Sequence, residues 1–296
     1  MKKIIWTVFV VLFCTATHAQ ELYVNTEPAS NMATGSIGFR LLSKLYKMNY
    51  NNSFTSYRIM PEFMIGASRH LMVHVAGYGS NMFQKKFRIE GGSLYAKYRF
   101  YSQDDVHEHF RIAAFSKISI IDNPQQLKIE TKKLLPDGNG GYAQQLYTST
   151  YKTDEFDIDG LNSGIVAGVV ATKLVNKIAV SGSLDYGYRL NNLNAKVLPD
   201  QPLSAVNYAA SFGYLLLPKE YVSYKQTNVN LYVELLGTTF PGRGKFYTDV
   251  APAIQFIFNS IARLDLSYRT QLAGNTARLS NNYLMVRLEY NILNAF

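Results

Sequence analysis

Few residues of this 296-residue chain are able to carry out nucleophilic or acid–base chemistry. Its histidines after the first 19 residues are His70, His74, His107 and His109. A serine hydrolase needs a histidine within hydrogen-bond reach of the nucleophilic hydroxyl. Only His74 lies on a predicted strand, and Ser80 shares its face only farther along. Because no nucleophile can be paired with a base, we predict that the protein is not an enzyme.

Two short acidic runs have residue types that bind metal ions. The run D-D-V-H-E-H at 104–109 carries two histidines in a turn, where side chains are commonly just solvated. The run at 155–160 begins like a calcium loop, but Val166 stands where the terminal glutamate of that motif belongs. The sequence therefore predicts no metal site and no cofactor.

The remaining chemical feature is a set of charged side chains that share one face of the predicted strands. With His74, the predicted members are Arg40, Arg58, Glu62, Lys97, Arg99, Arg111, Lys117, Asp185, Arg189, Glu234, Asp249, Arg263, Asp265, Arg269, Arg287 and Glu289. Lining a water-filled lumen, a set in which basic residues predominate would favour anionic solutes. Paired across strands, the same charges would instead fill the lumen as a structural network. The sequence leaves both arrangements open.

The segments that carry these residues alternate between polar and apolar positions with a period of two, as half-exposed strands do. They lie at about 34–45, 54–66, 71–81, 92–101, 109–121, 161–174, 177–190, 203–217, 226–237, 246–258, 261–272 and 282–296. In the last of them, Leu288, Tyr290 and Ile292 share the apolar face. Tyr101 is assigned to the polar face of the fourth segment. Pro61 cannot donate to a strand ladder, so we expect a bulge or bend there.

This pattern predicts an all-β fold, a transmembrane antiparallel up-and-down β-barrel of about 12 strands. Short and long connections alternate along the chain, as the two ends of such a barrel require. The longest connection, about 122–160, predicts one extracellular loop that either folds into the mouth or binds an external partner. A β-sandwich or soluble barrel fits less well, because it would have to bury the charged face or pack many aromatic residues inside.

The first 19 residues have the features of a signal peptide. Lys2 and Lys3 precede a short apolar core, and we predict cleavage after Ala19, which leaves residues 20–296 as a single barrel domain. Cys14, the only cysteine, lies inside this signal. No later apolar run is long enough for a spanning helix. The net charge of +9 comes without a basic run, so no nucleic acid partner is expected.

The end of the chain resembles the terminal strand of bacterial outer-membrane β-barrels. That resemblance implies that Leu288, Tyr290, Ile292 and Phe296 form the signal read by the barrel-assembly machinery during insertion. The Gln20 start, E-P-A-S-N-M at 27–32 and A-P-A-I-Q-F-I-F at 251–258 are similar to the uncharacterised outer-membrane β-barrel proteins of Bacteroidetes-type bacteria. The last of these and the terminal strand are also similar to transporter-like barrels of the phenol-degradation-pathway group.

Together these features predict a passive or small-solute channel in the cell outer membrane, with a basic lumen. Its expected partners are outer-membrane lipid and a small anionic solute. The alternative is a filled barrel that acts as a structural or surface-interaction protein. An outer-membrane lipid hydrolase is a third hypothesis, for which the sequence supplies no catalytic residues.

Overall fold

The computed structural model of the protein describes residues 23–49, 56–84, 86–105, 108–136, 142–220, 223 and 225–296. The predicted signal peptide and its cleavage site lie outside these residues. The strands are β1 Ile37–Met48, β2 Ser56–Gly66, β3 Leu71–Ser80, β4 Arg88–Asp104, β5 Glu108–Ile121, β6 Gln126–Pro136, β7 Tyr142–Lys152, β8 Gly164–Val175, β9 Ile178–Arg189, β10 Ser204–Leu217, β11 Asn228–Phe240, β12 Lys245–Phe258, β13 Ala262–Gly274 and β14 Ser280–Ile292. A search of the described residues finds no helix that is long and apolar enough to cross a membrane.

Twelve of these strands form a closed antiparallel barrel, as the sequence predicts. Each strand pairs with its neighbour in the chain, except that β5 pairs with β8. The first strand closes the barrel on the last, with Ile37 opposite Ile292 and Arg40 opposite Glu289. Closure leaves no free sheet edge, so neighbouring strands satisfy the backbone polar groups.

Alternation along each strand separates an apolar exterior from a polar interior. In β14 the outward Leu284, Leu288 and Tyr290 are exposed, whereas Met285 and Arg287 between them are buried. The same pattern holds around the barrel, and the exposed outward residues include Phe39, Val75, Leu94, Ile118, Val180, Leu184, Phe212, Leu231 and Leu235. A period of two thus assigns each side chain to the interior or the exterior.

The terminal strand ends at Ile292, before the last residue of the chain. Its end is tied to the start of β1, because the amide of Ala295 donates to the carbonyl of Gly35 at 2.7 Å. The side chains of Leu288, Tyr290, Ile292 and Phe296 are all exposed. Their role as an insertion signal remains a prediction.

The bulge expected at Pro61 is absent, because β2 keeps one register with β1 through this residue, whereas the pairing of β2 with β3 is interrupted at Met60 and Pro61. Two other local expectations are wrong. Tyr101 points outward and is 43% exposed, because a register shift between Arg99 and Tyr101 reverses the alternation. The connection at 122–160 is not one continuous loop, because it contains the antiparallel hairpin β6–β7, which is separate from the barrel sheet.

Two segments outside the barrel strands lie inside the barrel. The first is residues 23–36, the N-terminal segment. Its Tyr23 and Val24 are buried against the inward-facing Tyr232 and Met285. Residues 153–163, the inserted loop, bury Phe156 and Ile158 against inward-facing side chains of other strands. The interior is therefore occupied from both ends, since residues 23–36 lead directly into β1 and residues 153–163 follow the hairpin β6–β7 at the opposite end of the barrel.

Gly168 and Gly182 give a matched test of the register between β8 and β9. An ideal Cβ at Gly168 in β8 would lie 2.7 Å from the Cα of Asp185, whereas at Gly182 in β9 the nearest atom would be 3.8 Å away. We expect Gly168→Ala to lower the free energy of unfolding by about 1–3 kcal/mol, because the neighbouring backbone must shift. Gly182→Ala should be neutral or stabilise by up to about 1 kcal/mol. Denaturant unfolding of both variants in detergent checks this, and equal losses would contradict the β8–β9 register.

Candidate functional site

The barrel interior contains the side chains that the sequence assigns to one polar face. Those that are buried are Arg40, Arg58, His74, Lys97, Arg111, Arg189, Glu234, Asp249, Arg263, Asp265, Arg287 and Glu289. Those that are partly buried are Glu62, Arg99, Lys117, Asp185 and Arg269. Their burial follows from the strand register, because their chain neighbours occupy the exposed apolar face.

Arg40 is the centre of an ion-pair cluster beside the closure of the barrel. Its guanidinium contacts Glu289 of β14 at 2.9 Å, Glu62 of β2 at 3.0 Å and Glu27 of the N-terminal segment at 2.5 Å. Glu289 also pairs with Arg263 at 2.6 Å. Glu62 contacts Nδ1 of His74 at 2.8 Å. The cluster links neighbouring barrel strands to a segment that does not belong to the sheet.

The N-terminal segment is held mainly through its backbone. Arg287 donates to the carbonyls of Tyr23 and Val24, and the carboxylate of Glu234 accepts from the amides of Asn25 and Thr26. Lys97 donates to the carbonyls of Pro28 and Ser30, both at 2.7 Å. The amide of Ala29 donates to Thr172, and Arg111 donates to the hydroxyl of Ser30. Polar wall side chains therefore bind an extended stretch of chain in the lumen.

The inserted loop is anchored by a second set of basic residues. Arg58 pairs with Glu90 at 2.8 Å and donates to the carbonyl of Gly160 at 2.9 Å. Lys117 forms an ion pair with Asp159. Gly160 has φ +104° and an ideal Cβ there would lie 2.7 Å from Nε of Arg58, so a side chain at this position would be strained and would also clash.

The other end of the loop is anchored in the same way. Arg189 donates to the carbonyls of Asp154 and Glu155. Arg278, from the connection before β14, pairs with Glu155 at 3.0 Å and with Asp249 at 2.8 Å. The loop is thus fixed at both of its ends by guanidinium groups.

A chamber of about 330 Å³ lies in the lumen and is lined by both inserted segments. Of the side chains predicted from the sequence, the chamber brings together Arg40, Arg58, Glu62, His74, Lys117, Asp185, Arg269 and Arg287. The other predicted residues do not line it; several of them, such as Lys97 and Glu234, bind the N-terminal segment instead. The lining also includes Lys44, whose ammonium lies 5.3 Å from the ring centre of Tyr283. This mixture of cations and aromatic rings suits a small polar or anionic solute.

The charges of the wall and of the inserted segments are complementary. On the inward faces of the described barrel strands, the basic residues include Arg40, Lys44, Arg58, Lys97, Arg99, Arg111, Lys117, Arg189, Lys245, Arg263, Arg269 and Arg287. The acidic residues there include Glu62, Glu90, Asp185, Glu234, Asp249, Asp265 and Glu289. The inserted segments add Glu27, Asp154, Glu155, Asp157 and Asp159. Carboxylates from outside the sheet therefore offset a basic surplus on the strands.

Sequence reasoning missed several of these side chains. Lys44 follows Arg40 at a spacing of four on the same face, so alternation alone would have found it. Glu90 is displaced by an irregularity in the β3–β4 pairing between Tyr78 and Gly79, which a period of two does not reveal. Glu27 and Asp159 lie in non-repeating segments, where no periodic signal indicates that the side chains enter the barrel.

The candidate enzymatic and metal residues are engaged in other contacts. His74 is hydrogen-bonded to Glu62, whereas the hydroxyl of Ser80 donates to Glu90 at 2.6 Å, so the two belong to different networks. His109 contacts Asp104 at 2.8 Å, and His107 lies outside the described residues. Of the calcium-like run, Asp159 binds Lys117 and Glu155 binds Arg278. These positions form contacts with other protein side chains.

Comparisons with known proteins give a likeness of fold. No family model and no curated protein sequence matches the chain. An outer membrane channel from Pseudomonas putida F1 aligns with 91% of this chain and 100% of its own, with a TM-score of 0.58 and 9% identity. The KdgM porin aligns with 86% of this chain and 98% of its own, with a TM-score of 0.43 and 9% identity. The CymD monoaromatic hydrocarbon channel covers 88% of each chain, at a TM-score of 0.41 and 9% identity. At this identity, the first match supports the barrel fold.

The charge of Asp159 gives a test of how the inserted loop is held. Enclosure in the barrel would raise the pKa of Asp159, but Lys117, Lys44 and Arg58 oppose it and lower the pKa to about 2. Because this value is below the ordinary 3.8, the charge of Asp159 stabilises the seated loop above about pH 4. That contribution is lost as the pH falls towards about 2. We therefore expect Asp159→Asn to loosen the loop at neutral pH.

The measurement is the rate at which a thiol reagent labels Ile158→Cys, a buried position in the loop. Labelling should be faster in the Asp159→Asn background than in the parent at pH 7. Asp200→Asn is the matched control, because its partner Lys152 is exposed and lies outside the barrel lumen. Equal labelling rates in the two backgrounds would show that the Asp159 ion pair does not hold the loop.

Proposed function

We propose that the protein is an outer-membrane channel for small solutes, and that the described conformation is its closed state. The observation that carries the proposal is a chamber inside a closed, externally apolar barrel, bounded by two segments that are not part of the sheet. A barrel of this design needs no interior segments for its backbone hydrogen bonds. The two segments can therefore move without opening the sheet.

The exterior supports the membrane location. Large apolar side chains are exposed on every barrel strand except β2, whose outward Phe63 and Ile65 are partly buried, and aliphatic and aromatic residues are interspersed. In water such a surface would be far larger than the apolar patches of soluble monomers, whereas a bilayer solvates it. Outer-membrane lipid is thus the proposed surroundings of the barrel, and the barrel-assembly machinery its proposed partner during insertion.

The N-terminal segment is the element we propose to move. It is joined to the sheet where it enters β1. Polar contacts hold most of its length, and Tyr23, Val24 and Ala29 also pack against apolar side chains of the wall. Water or solute can replace the polar contacts one at a time, which is not true of a strand in the sheet. Its withdrawal would remove Glu27 from the chamber and leave the basic surplus of the wall exposed. We therefore propose that the open channel favours anions.

A filled barrel that acts in surface interaction is the second candidate. It is favoured by the number of buried ion pairs, which fix the interior, and by the hairpin β6–β7, which extends from the connection between β5 and β8. In that case the inserted segments would be permanent parts of the core. The two candidates differ in whether the N-terminal segment leaves the lumen.

A disulfide lock distinguishes them. Ala29 and Thr172 are in direct contact, because the amide of Ala29 donates to the hydroxyl of Thr172 at 2.9 Å, and formation of a disulfide between cysteines at these positions is checked by thiol titration before recording. We expect Ala29→Cys/Thr172→Cys to be silent in planar bilayers when oxidised and to conduct after reduction. Each single cysteine variant is the control and should conduct in both conditions. Equal conductance of the oxidised and reduced double variant would show that the segment does not gate the pore. Absence of conductance in every variant would favour the filled barrel.

A second test addresses the membrane location. Leu235 faces outward in the middle of β11, whereas Leu193 is exposed in the connection between β9 and β10. In lipid vesicles, Leu235→Arg should lower the free energy of unfolding by about 2–4 kcal/mol, because arginine is costly on the lipid face. Leu193→Arg should change it by less than about 0.5 kcal/mol, as surface substitutions do. Similar small effects at both sites would argue against a bilayer around β11.

A further inference from the structure

Glu27 occupies a cationic site that belongs to the barrel wall. Its Oε1 accepts from Arg40 at 2.5 Å, and its Oε2 lies 3.8 Å from the ammonium of Lys97. Glu62 and Glu289 hold Arg40 from its other sides, so the guanidinium has a fixed position whether or not Glu27 is there. The wall therefore presents a pre-formed binding group to whatever carboxylate reaches it.

The internal carboxylate fits this site incompletely. Oε2 of Glu27 is buried and has no hydrogen-bond partner among the described residues. Lys97 already donates to the carbonyls of Pro28 and Ser30, which lie on the same segment as Glu27. Because the backbone of the segment is fixed by these contacts, Oε2 of Glu27 does not come within hydrogen-bond distance of the ammonium. Burial opposes ionisation of Glu27, but Arg40, Lys97, His74 and Arg287 lower its pKa well below the ordinary value. The site thus holds a charged carboxylate of which one oxygen has an ion-pair contact with Lys97 but no hydrogen bond.

We propose that the Arg40–Lys97 site is a binding site for a small organic carboxylate, and that Glu27 is its built-in competitor. This inference rests on the proposed channel function and names the class of solute. Both Glu27 and Arg40 line the chamber of about 330 Å³, so a solute in the chamber reaches Arg40 directly and reaches Lys97 once the N-terminal segment withdraws. An untethered carboxylate can place both oxygens on donors, which Glu27 does not. Binding of the solute then releases the N-terminal segment.

The first experiment asks whether the site accepts a free carboxylate. Glu27→Ala removes the internal carboxylate and leaves space for acetate, whereas Glu27→Gln removes the charge but fills the same space. Acetate should raise the melting temperature of detergent-solubilised Glu27→Ala by several degrees more than chloride at equal ionic strength, since a ligand of the native state stabilises it. It should raise that of Glu27→Gln no more than chloride does. Equal responses to acetate and chloride in Glu27→Ala would overturn the proposal.

The second experiment asks whether a carboxylate displaces the intact segment. Val24→Cys places a thiol at a buried position of the N-terminal segment. Acetate should increase its labelling rate by a maleimide at least about fivefold over chloride, because ligand binding shifts the population towards the released state. Glu108→Gln, which breaks an exposed ion pair with Lys173, should leave this response unchanged. A rate that acetate and chloride change equally would exclude competition with Glu27.

Neither measurement depends on conduction. A protein that binds acetate and releases the segment but passes no current would retain the carboxylate site and refute the channel. A protein that conducts under control of the disulfide lock, yet shows the same labelling rate in acetate and chloride, would retain the channel and refute the site. Phosphate in place of acetate separates a general anion site from a carboxylate site, since a larger effect of phosphate would overturn the proposed class of solute.

Discussion

Closure of β1 on β14 is the constraint on which the rest of the structure depends. The first and last barrel strands pair along almost their whole length, so the polar backbone groups along this seam have partners in the adjacent strand. Closure also fixes which side chains meet in the interior. It brings Arg40 and Glu289 together from opposite ends of the sequence, and Arg40 in turn holds Glu62 and Glu27. The ion-pair cluster at the seam thus ties the closed sheet to the segment inside it.

A barrel that encloses many charges must either hydrate them or pair them. Removing a carboxylate or guanidinium from water costs several kcal/mol unless close partners replace the lost hydration. The strands supply more basic than acidic side chains, so strand-to-strand pairing alone would leave cations without partners. Glu27, Glu155 and Asp159 supply part of the missing negative charge from outside the sheet. This charge pairing, together with the apolar packing of Tyr23, Val24, Phe156 and Ile158, explains why two segments rich in polar residues lie within the lumen.

The sequence predicts the strands and their two faces well. A shift of the strand register by one residue would move every apolar side chain from the exterior to the interior, so the need for an apolar exterior allows only one register. The prediction fails where that period breaks. Glu90 and Tyr101 lie at irregularities in the pairing of β4, and neither position shows in the alternation. The N-terminal segment could not be placed either. Its contacts with Glu234 and Lys97 join residues far apart in sequence, and a short polar stretch carries no periodic signal of its own.

The same electrostatics that stabilise the filled interior also restrict what could replace it. Withdrawal of the N-terminal segment takes Glu27 away from Arg40 and Lys97, and the exposed cations must then be satisfied by water or by another anion. Water compensates these charges less well in a narrow lumen than in bulk, because the surrounding protein has a lower dielectric constant than water. A solute carboxylate restores the lost pairing, whereas a cation adds repulsion. In the proposed channel, opening and solute selectivity would therefore both follow from one exchange of anions at a single site, and a change in the wall charges there would alter both together.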